Sequence, residues 1–523
     1  MPTERNETAM VAKCYSGALY GVDARAVEIE VCSAVATSSF TIVGLPDQAI
    51  KEAKERIPAA LKCSGYSTKT EFAVTVNLAP ADVRKEGPFY DLPIAIGLLK
   101  ATKRLKCENL EDYGFAGELA LSGEVRAVRG ILPIVMEMKR IGRKAVLVPV
   151  DNLAEASVVD GIDVFPVRHL REAAMFLDGE CTLEPVRTDL AALVGRDQNA
   201  ADDFSDVKGQ QMTVRAVEVA VAGGHNLLMI GSPGAGKTMI ARRIPGVLPP
   251  LTVEEALEVS RIHSVAGLGK GGGRFVTTRP FRAPHHTTSA IGLLGGGVHP
   301  GPGEVSLAHR GVLFLDEFAE LPRHVLEVLR QPLEDGHVTV SRAAASVDYP
   351  SRFMMVAAMN PCPCGYFGDP TRECRCCQRD ILKYQGRISG PLMDRIDIQV
   401  SVPAVPLREL QTADRCPPSA EIRERVVRAR AMQSERYREF GRGMTNAEAP
   451  SRLLNDVCKL SENTRESLQR IIERLNLSAR AYDRILRVSR SIADLANSDD
   501  VRECHVFEAA GYRQLDSEHS FWA

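Results

Sequence analysis

Apolar positions follow three regimes along the chain. Between residues 9 and 175, short β-branched runs alternate with amphipathic stretches. AVEIEV (26–31), FTIVGL (40–45) and EFAVTVNL (71–78) have the branched, apolar make-up of strands. AIKEAKERIPAALKCSG (49–65) spaces its apolar residues as a helix does and stops at Gly65. DLPIAIGLLKATKRL (91–105) is a second apolar helix. GELALSGEVRAV (117–128) reads as a hairpin turning at Ser122-Gly123, and ILPIVMEMKRIG (131–142) as a helix leading into the strand KAVLVP (144–149). Periodicity lapses over 178–205, where Asp, Asn and Gly collect as in a linker.

Between 206 and 405 the signal changes to short apolar runs with polar ends, as buried strands show. From about 415 it becomes helical and Arg-rich, with helices expected over 421–440, 464–475 and 479–496. The six arginines and four glutamates of 421–440 read as a solvated face laced with ion pairs; a subunit or DNA contact is the alternative.

Composition narrows the class. The 523 residues have room for roughly three domains. Their 45% hydrophobic and 25% charged content excludes a disordered or fibrous chain. A net charge of −2 excludes a globally basic nucleic-acid coat and leaves room for a local basic surface. No apolar run approaches the ~18 residues of a membrane span. The opening MPTERNET lacks the apolar region of a secretory signal. The expected compartment is therefore the cytoplasm, with no membrane partner. Disulfides are rare there, so the thirteen cysteines, five of them within 362–377, call for another account.

The densest chemistry begins at NLLMIGSPGAGKTMIARRI (226–244). Gly231, Ser232, Pro233, Gly234, Ala235, Gly236, Lys237 and Thr238 satisfy the phosphate-loop pattern, with a strand before and a helix after. Glycines turn backbone N–H groups toward phosphate, and the helix N-terminus adds its dipole. Lys237 is expected on the β- and γ-phosphates, Thr238 on Mg²⁺, and Met239 completes the nucleotide-binding stretch. GVLFLDEF (311–318) is a buried strand ending in two acids. Asp316 there holds Mg²⁺ through water, and Glu317 orients or deprotonates the attacking water. RFMMVAAMNPCP (352–363) ends a further strand in Asn360, placed either to position water or to cap a turn. GPLMDRIDI (390–398) sets Arg395 between two acids, as an ion pair or as an arginine finger for a neighbouring subunit's ATP.

The order GSPGAGKT, VLFLDE, MNP, LMDRID and SARAYDRILR (478–487) resembles the magnesium-chelatase-like branch of the AAA+ ATPases. VGLPDQAIKEAKERI, VNLAPADVRKEG, DFSDVKGQ, RPFRAPHHTTSAIGLLGGG and MNPCPCG extend the resemblance to the bacterial YifB/ComM family over nearly the whole chain. The resemblance implies a hexameric ATPase acting on single-stranded or branched DNA, with branch-migration or helicase activity in recombination or transformation. It gives Asn360 the sensor-1 role and Arg395 the arginine-finger role. It gives Arg480 the sensor-2 role, touching the nucleotide held by the preceding core, with Arg484 one turn later as the alternative. Val207, Lys208 and Gly209 match the segment that contacts adenine.

KEGPFYD (85–91), GELALSGEVRAVRG (117–130) and RKAVLVP (143–149) resemble the proteolytic domain of Lon. That fold uses a Ser/Lys dyad. Phe89 and Leu132 fall at the corresponding positions here, and neither side chain is a nucleophile or base.

Two segments are candidates for DNA. RPFRAPHHTTSAIGLLGGGVHPGPGE (279–304) brings together Arg282, His285 and His286 where the relatives insert a pore-facing hairpin; HVTVSRAAASVDYP (337–350) carries Arg342 near a hairpin tip. Cys362, Cys364, Cys374 and Cys376 suit a closed tetrahedral Zn²⁺ site, with Cys377 spare. Free thiols and iron–sulfur or redox chemistry are the alternatives.

The expected protein is α/β throughout its first two parts. A Lon protease/S5 domain 2-like N-terminal domain without the dyad (1–177) and a linker (178–205) precede an AAA+ P-loop core with a parallel sheet (206–405), which carries the Cys-rich loop. A helical lid (406–523) follows. It is read as an ATP- and Mg²⁺-dependent homo-oligomeric motor on DNA with a structural zinc. A chelatase-type or scaffold ATPase is the rival, and an ATP-dependent protease is disfavoured by Phe89.

Overall fold

Two separate sheets and a bundle of helices organise the chain in a computed structural model. It describes residues 10–35, 37, 39–66, 72–194, 202–268, 275–297, 301–342, 345–370, 372–405, 415–440, 443–475 and 477–513.

The first sheet has seven strands: β1 (Met10–Tyr20), β2 (Asp23–Val35), β3 (Ser39–Val43), β4 (Phe72–Ala79), β5 (Tyr113–Phe115), β6 (Ala145–Pro149) and β7 (Asp163–Val167). Their order is β3-β4-β2-β1-β5-β6-β7. β2 runs antiparallel to β1 and β4, and the other pairs are parallel. Helices α1 (Asp91–Ala101) and α2 (Ile131–Arg140) pack on it. α1 is apolar nearly all round, so almost every residue of it is buried. The hairpin at Ser122-Gly123 forms where expected, between Glu118–Leu119 and Val125–Arg126. Part of the stretch read as linker is ordered against this sheet: Val186 N–H donates to Val164 O at 2.9 Å, and Leu190–Leu193 is a helical turn.

The second part contains α3 (Gln211–Gly223), β8 (Leu227–Ile230), α4 (Lys237–Arg243), α5 (Val253–Ala266), β9 (Phe281–Arg282), β10 (Val312–Leu315), the hairpin strands β11 (His337–Arg342) and β12 (Ala345–Pro350), β13 (Met354–Met359) and β14 (Ile398–Ser401). Five of these strands make an all-parallel sheet, β9-β10-β13-β8-β14. LLMI, VLFL and MMVAAM are buried at every position, which is why they lack a period-2 pattern. Because the strands are parallel, Ile230, Leu315 and Met359 end at one edge of the sheet. Asn226, Gly311 and Phe353 precede the same strands at the opposite edge.

Helices α6 (Ser419–Arg436), α7 (Ser451–Cys458), α8 (Glu462–Arg474), α9 (Ala479–Leu495) and α10 (Glu503–Gly511) close the fold, with α9 packed against α3, α6, α7 and α10. The Arg-rich helix α6 has the expected solvated face, with the Arg428–Glu424 pair exposed along it and the Arg438–Glu435 pair exposed at its end, but not all of its arginines lie there. Arg436 makes a two-point ion pair at 2.6 and 2.9 Å with the fully buried Asp494. Arg430 donates to Val221 O at 2.9 Å, and burial pushes its guanidinium down to about 10. The helix has to cover α3 and α9, so two of its arginines turn inward and find partners there.

The two sheet modules are joined by polar contacts. Glu155, almost fully buried, accepts from the Ser264 hydroxyl of α5 and from Leu132 N–H. Gly130 N–H donates to Ser264 O at 3.0 Å, Arg261 pairs with Asp23, and Tyr20 Oη donates to Ser346 O at 2.9 Å. Phe89 and Leu132, expected at the positions of the peptidase dyad, are 1% and 0% exposed and lie in the hydrophobic core. No described helix is long and apolar enough to cross a membrane.

Candidate active site at the edge of the parallel sheet

The phosphate loop leaves β8 at Gly231, where any Cβ would lie 2.3 Å from Val402 O. Gly234 and Gly236 have φ of +80° and +89°, conformations that favour glycine, and Gly236 leads directly into α4. Lys237 is 8% exposed, and burial pushes its ammonium below the ordinary value while Asp316 opposes the shift. Its Nζ is held by Gly231 O (2.6 Å), Ser232 O (3.0 Å) and Asn360 Oδ1 (3.1 Å). Thr238 Oγ1 donates to Asp316 Oδ2 at 2.7 Å. A hydroxyl and a carboxylate side by side form a hard oxygen donor pair of the kind Mg²⁺ takes. Lys237, Thr238, Asp316, Glu317 and Asn360 thus converge from three parallel strands on one sheet edge.

Glu317 follows Asp316 with φ of +50°, and its carboxylate is half-exposed. Its Oε2 lies 2.8 Å from His286 Nδ1. Sequence reasoning placed His286 among the DNA candidates and did not connect it with Glu317. Arg282, grouped with it, is committed elsewhere, in a two-point pair with Glu304 at 2.7 and 2.8 Å. The side chain of Arg342 and the residues after it, 343–344, lie outside the described residues.

Val207, Lys208 and Gly209 form a turn beside the loop. Val207 O accepts from Cys416 N–H at 3.0 Å, Lys208 bridges to Arg415, and Gly209 takes φ of +68°. Gln210, which the sequence did not single out, ties this turn to the phosphate loop: its Nε2 donates to Ala235 O (2.7 Å) and Pro403 O (3.1 Å). A polar residue between Gly209 and an apolar helix was the available signal. Met239 is partly exposed on the first turn of α4.

Arg395 and Arg480 lie elsewhere. Both line a cavity of about 680 Å³ at the opposite sheet edge, together with Asn226, Gly311, Phe353, Arg430 and Arg484 and with no residue of the phosphate loop. Arg395 pairs with Glu334, and Arg480 Nη1 lies 3.4 Å from Asp394 Oδ2. Arg480, expected at the nucleotide, is thus placed at the sheet edge away from its own phosphate loop. The four-residue parallel strands separate the two, and the first turn of α9 is anchored beside Arg395 instead. Arg484 lies on the same side, its Nε 3.7 Å from Asp397.

The four predicted cysteines come together. The sulfurs of Cys362, Cys364, Cys374 and Cys376 all lie within 4.8 Å of one another. Burial pushes the Cys364 thiol up, but backbone N–H groups of Tyr366 and Arg375 outweigh it and bring it down to about 6; burial takes Cys376 up to about 12. Cys377 stands apart and donates to Asp380 at 3.1 Å.

A phosphate loop, an Asp-Glu strand end and a parallel sheet followed by a helical lid define a magnesium-chelatase-like AAA+ ATPase. Sequence comparison agrees. Residues 203–410 match the family described as magnesium chelatase, subunit ChlI; residues 27–152 match subunit ChlI of Mg-chelatase, and 417–513 match the ChlI C-terminal family. The chain is 42% identical over 510 residues to competence protein ComM of Haemophilus influenzae, covering 97% of this chain and 98% of that protein. It is 41% identical over 504 residues to the uncharacterized protein YifB of Escherichia coli, covering 96% and 97%. A weaker likeness, 23% over 161 residues, links it to Lon protease 2 of Bacillus subtilis. The chain belongs to the ComM/YifB family.

Proposed function

We propose that the protein hydrolyses ATP as a closed ring, a hexamer, and uses the turnover to move or unwind single-stranded or branched DNA. The observation that carries this reading is the division of the chemistry between the two edges of one sheet. Lys237, Thr238, Asp316, Glu317 and Asn360 lie at one edge and Arg395 at the other. A site split this way is completed by a second copy whose Arg395 meets the first copy's nucleotide.

In this reading Lys237 exchanges its carbonyl partners for the β- and γ-phosphates. Thr238 and Asp316 hold Mg²⁺, which screens charge on the phosphates when bound. Glu317 takes the proton of the attacking water, and Asn360 fixes that water's position. Val207, Lys208 and Gly209 contact adenine. Arg480 assists Arg395 from the same edge. The four cysteines hold zinc. The N-terminal module to residue 177 is a scaffold, the core spans 206–405, and the lid follows.

For DNA, support comes from the ComM relative, whose name ties that protein to competence, and from His285 and His286 on a segment beside the hydrolytic edge. The cytoplasm, where thiols stay reduced, suits the cysteines. A scaffold ATPase shares every core residue and is separated by strand displacement on forked DNA. ATP-dependent displacement by the wild type, absent in Glu317→Gln, is the expected result. ATPase activity without displacement on forked, branched or single-strand-tailed DNA overturns the motor reading. Peptide cleavage is not expected from buried Phe89 and Leu132.

A further inference from the structure

Among the described residues from Pro363 to Cys377 there is no helix or strand, and Gly365 is the one buried residue. A segment this poor in buried side chains does not offset the entropy of ordering about fifteen residues. It nevertheless brings four sulfurs to one point. Cys362 Sγ lies 3.4 Å from Cys364 Sγ and 3.7 Å from Cys374 Sγ, and Cys364 Sγ lies 3.6 Å from Cys374 Sγ. Four thiolates about 2.3 Å from one tetrahedral ion stand roughly 3.8 Å apart, so these spacings fit an ion-centred cage. Two backbone N–H groups already point at sulfur: Cys364 to Cys376 Sγ at 3.4 Å, and Phe367 to Cys362 Sγ at 3.3 Å. Such N–H···S bonds support and orient thiolate ligands around a metal. An all-sulfur, four-ligand, closed set selects zinc among the common divalent ions.

The cage also touches the nucleotide loop. Gly365 has φ of +87°, and a Cβ there would lie 2.5 Å from Pro233 Cδ, so its backbone presses on the apex of the phosphate loop. Asn360, two residues before Cys362, accepts from Lys237 Nζ. Gln385 holds Pro361 O at 3.0 Å from the far side.

We propose that Cys362, Cys364, Cys374 and Cys376 bind one Zn²⁺ and that this ion forms the outer wall of the phosphate loop, keeping Pro233 and Asn360 in place for nucleotide. The metal site stands independently of the ATPase reading; its second role rests on that reading. Zinc does no chemistry there, since no coordination position is open. Its binding free energy is the local folding free energy of the loop.

The test is elemental analysis of the full-length protein, purified without chelator or added metal, alongside titration with a fluorescent ATP analogue. About one zinc per chain is expected in the wild type, in Lys237→Ala and in Cys377→Ser. The double variant Cys374→Ser/Cys376→Ser is expected to fall below about a tenth of that and to bind the analogue at least about tenfold more weakly. If the double variant does not fold, chelator-stripped wild type takes its place, with affinity recovered on adding Zn²⁺. Wild type with near-zero metal and intact nucleotide binding overturns the site, as does iron in place of zinc. Zinc present in the wild type and lost in the variant without change in nucleotide affinity overturns the wall role alone. Zinc present while Lys237→Ala still binds the analogue fully overturns the nucleotide assignment and leaves the metal site standing.

Discussion

His286 Nδ1 and Glu317 Oε2 stand 2.8 Å apart, joining the segment 279–304 to the carboxylate expected to act on water. The pair is partly exposed on both sides, 39% and 52%, so it is a weak restraint that can be broken. On the proposed reading, this pair holds Glu317 back from the γ-phosphate. His286→Ala is therefore expected to raise ATP turnover without DNA by up to about fivefold, the equivalent of ~1 kcal/mol for an exposed pair. Stimulation by DNA should shrink in proportion. A turnover that falls, measured at saturating ATP, would show that His286 supports Glu317 in its working position.

Removing the carboxylate itself separates binding from chemistry. Glu317→Gln keeps the side chain's size and loses the base. Turnover should fall on the order of a hundredfold or more while nucleotide affinity is retained. Lys237→Ala should lose both, because its ammonium occupies the centre of the loop. Equilibrium binding of labelled ATP beside phosphate release decides this, and wild-type turnover in Glu317→Gln would remove Glu317 from the mechanism.

Arg395→Ala leaves the phosphate loop of its own chain untouched. Binding should persist in the isolated chain, and assembled activity should drop on the order of a thousandfold. Mixing Arg395→Ala with Lys237→Ala should recover part of the activity, since one chain brings the loop and the other the arginine. High activity from Arg395→Ala alone would rule out a role across the interface.

Acid should loosen the fold before carboxylates titrate. Burial pushes His263, His309 and His505 below the ordinary histidine value. Each therefore takes a proton less readily in the folded chain than in the unfolded one. As pH falls through about 6.5 the unfolded state binds more protons, so stability declines. Above that value neither state is protonated and the effect vanishes. Melting temperatures recorded from pH 8 to pH 5 should be flat at first and then fall. A rise in melting temperature between about pH 6.5 and pH 5 would contradict the burial of these three rings.

The phosphate loop and the Asp316 strand were readable because their chemistry is local: four apolar residues and a fixed spacing suffice. Contacts between distant positions were not. Nothing near His286 shows that it meets Glu317, thirty-one positions away. The order of motifs places Arg480 in a lid but not at a particular sheet edge, and the packing of α9 decides that. β1 escaped notice because its buried face is built from Ala12, Cys14, Ser16 and Ala18, small residues without a strand signature. β7 contains Pro166, a residue tolerated because this strand lies at the edge of its sheet. The solvated, ion-paired face of the Arg-rich helix was legible, but Arg430 and Arg436 turning inward was not, because composition counts charges without saying which face they share.

The turn between β1 and β2 bears on β12 close to the Arg342↔Ala345 end of the β11–β12 hairpin. Val22 is buried within the hydrophobic cluster of the second module, and a Cβ on Gly21 would lie 2.7 Å from Val347. Tyr20 hydrogen-bonds the same hairpin strand. A hairpin clamped in this way cannot swing alone. Load on the hairpin is therefore expected to pass into the seven-stranded sheet rather than be absorbed by a loop. The role this suggests for the first module is mechanical, an anvil against which the hairpin is braced.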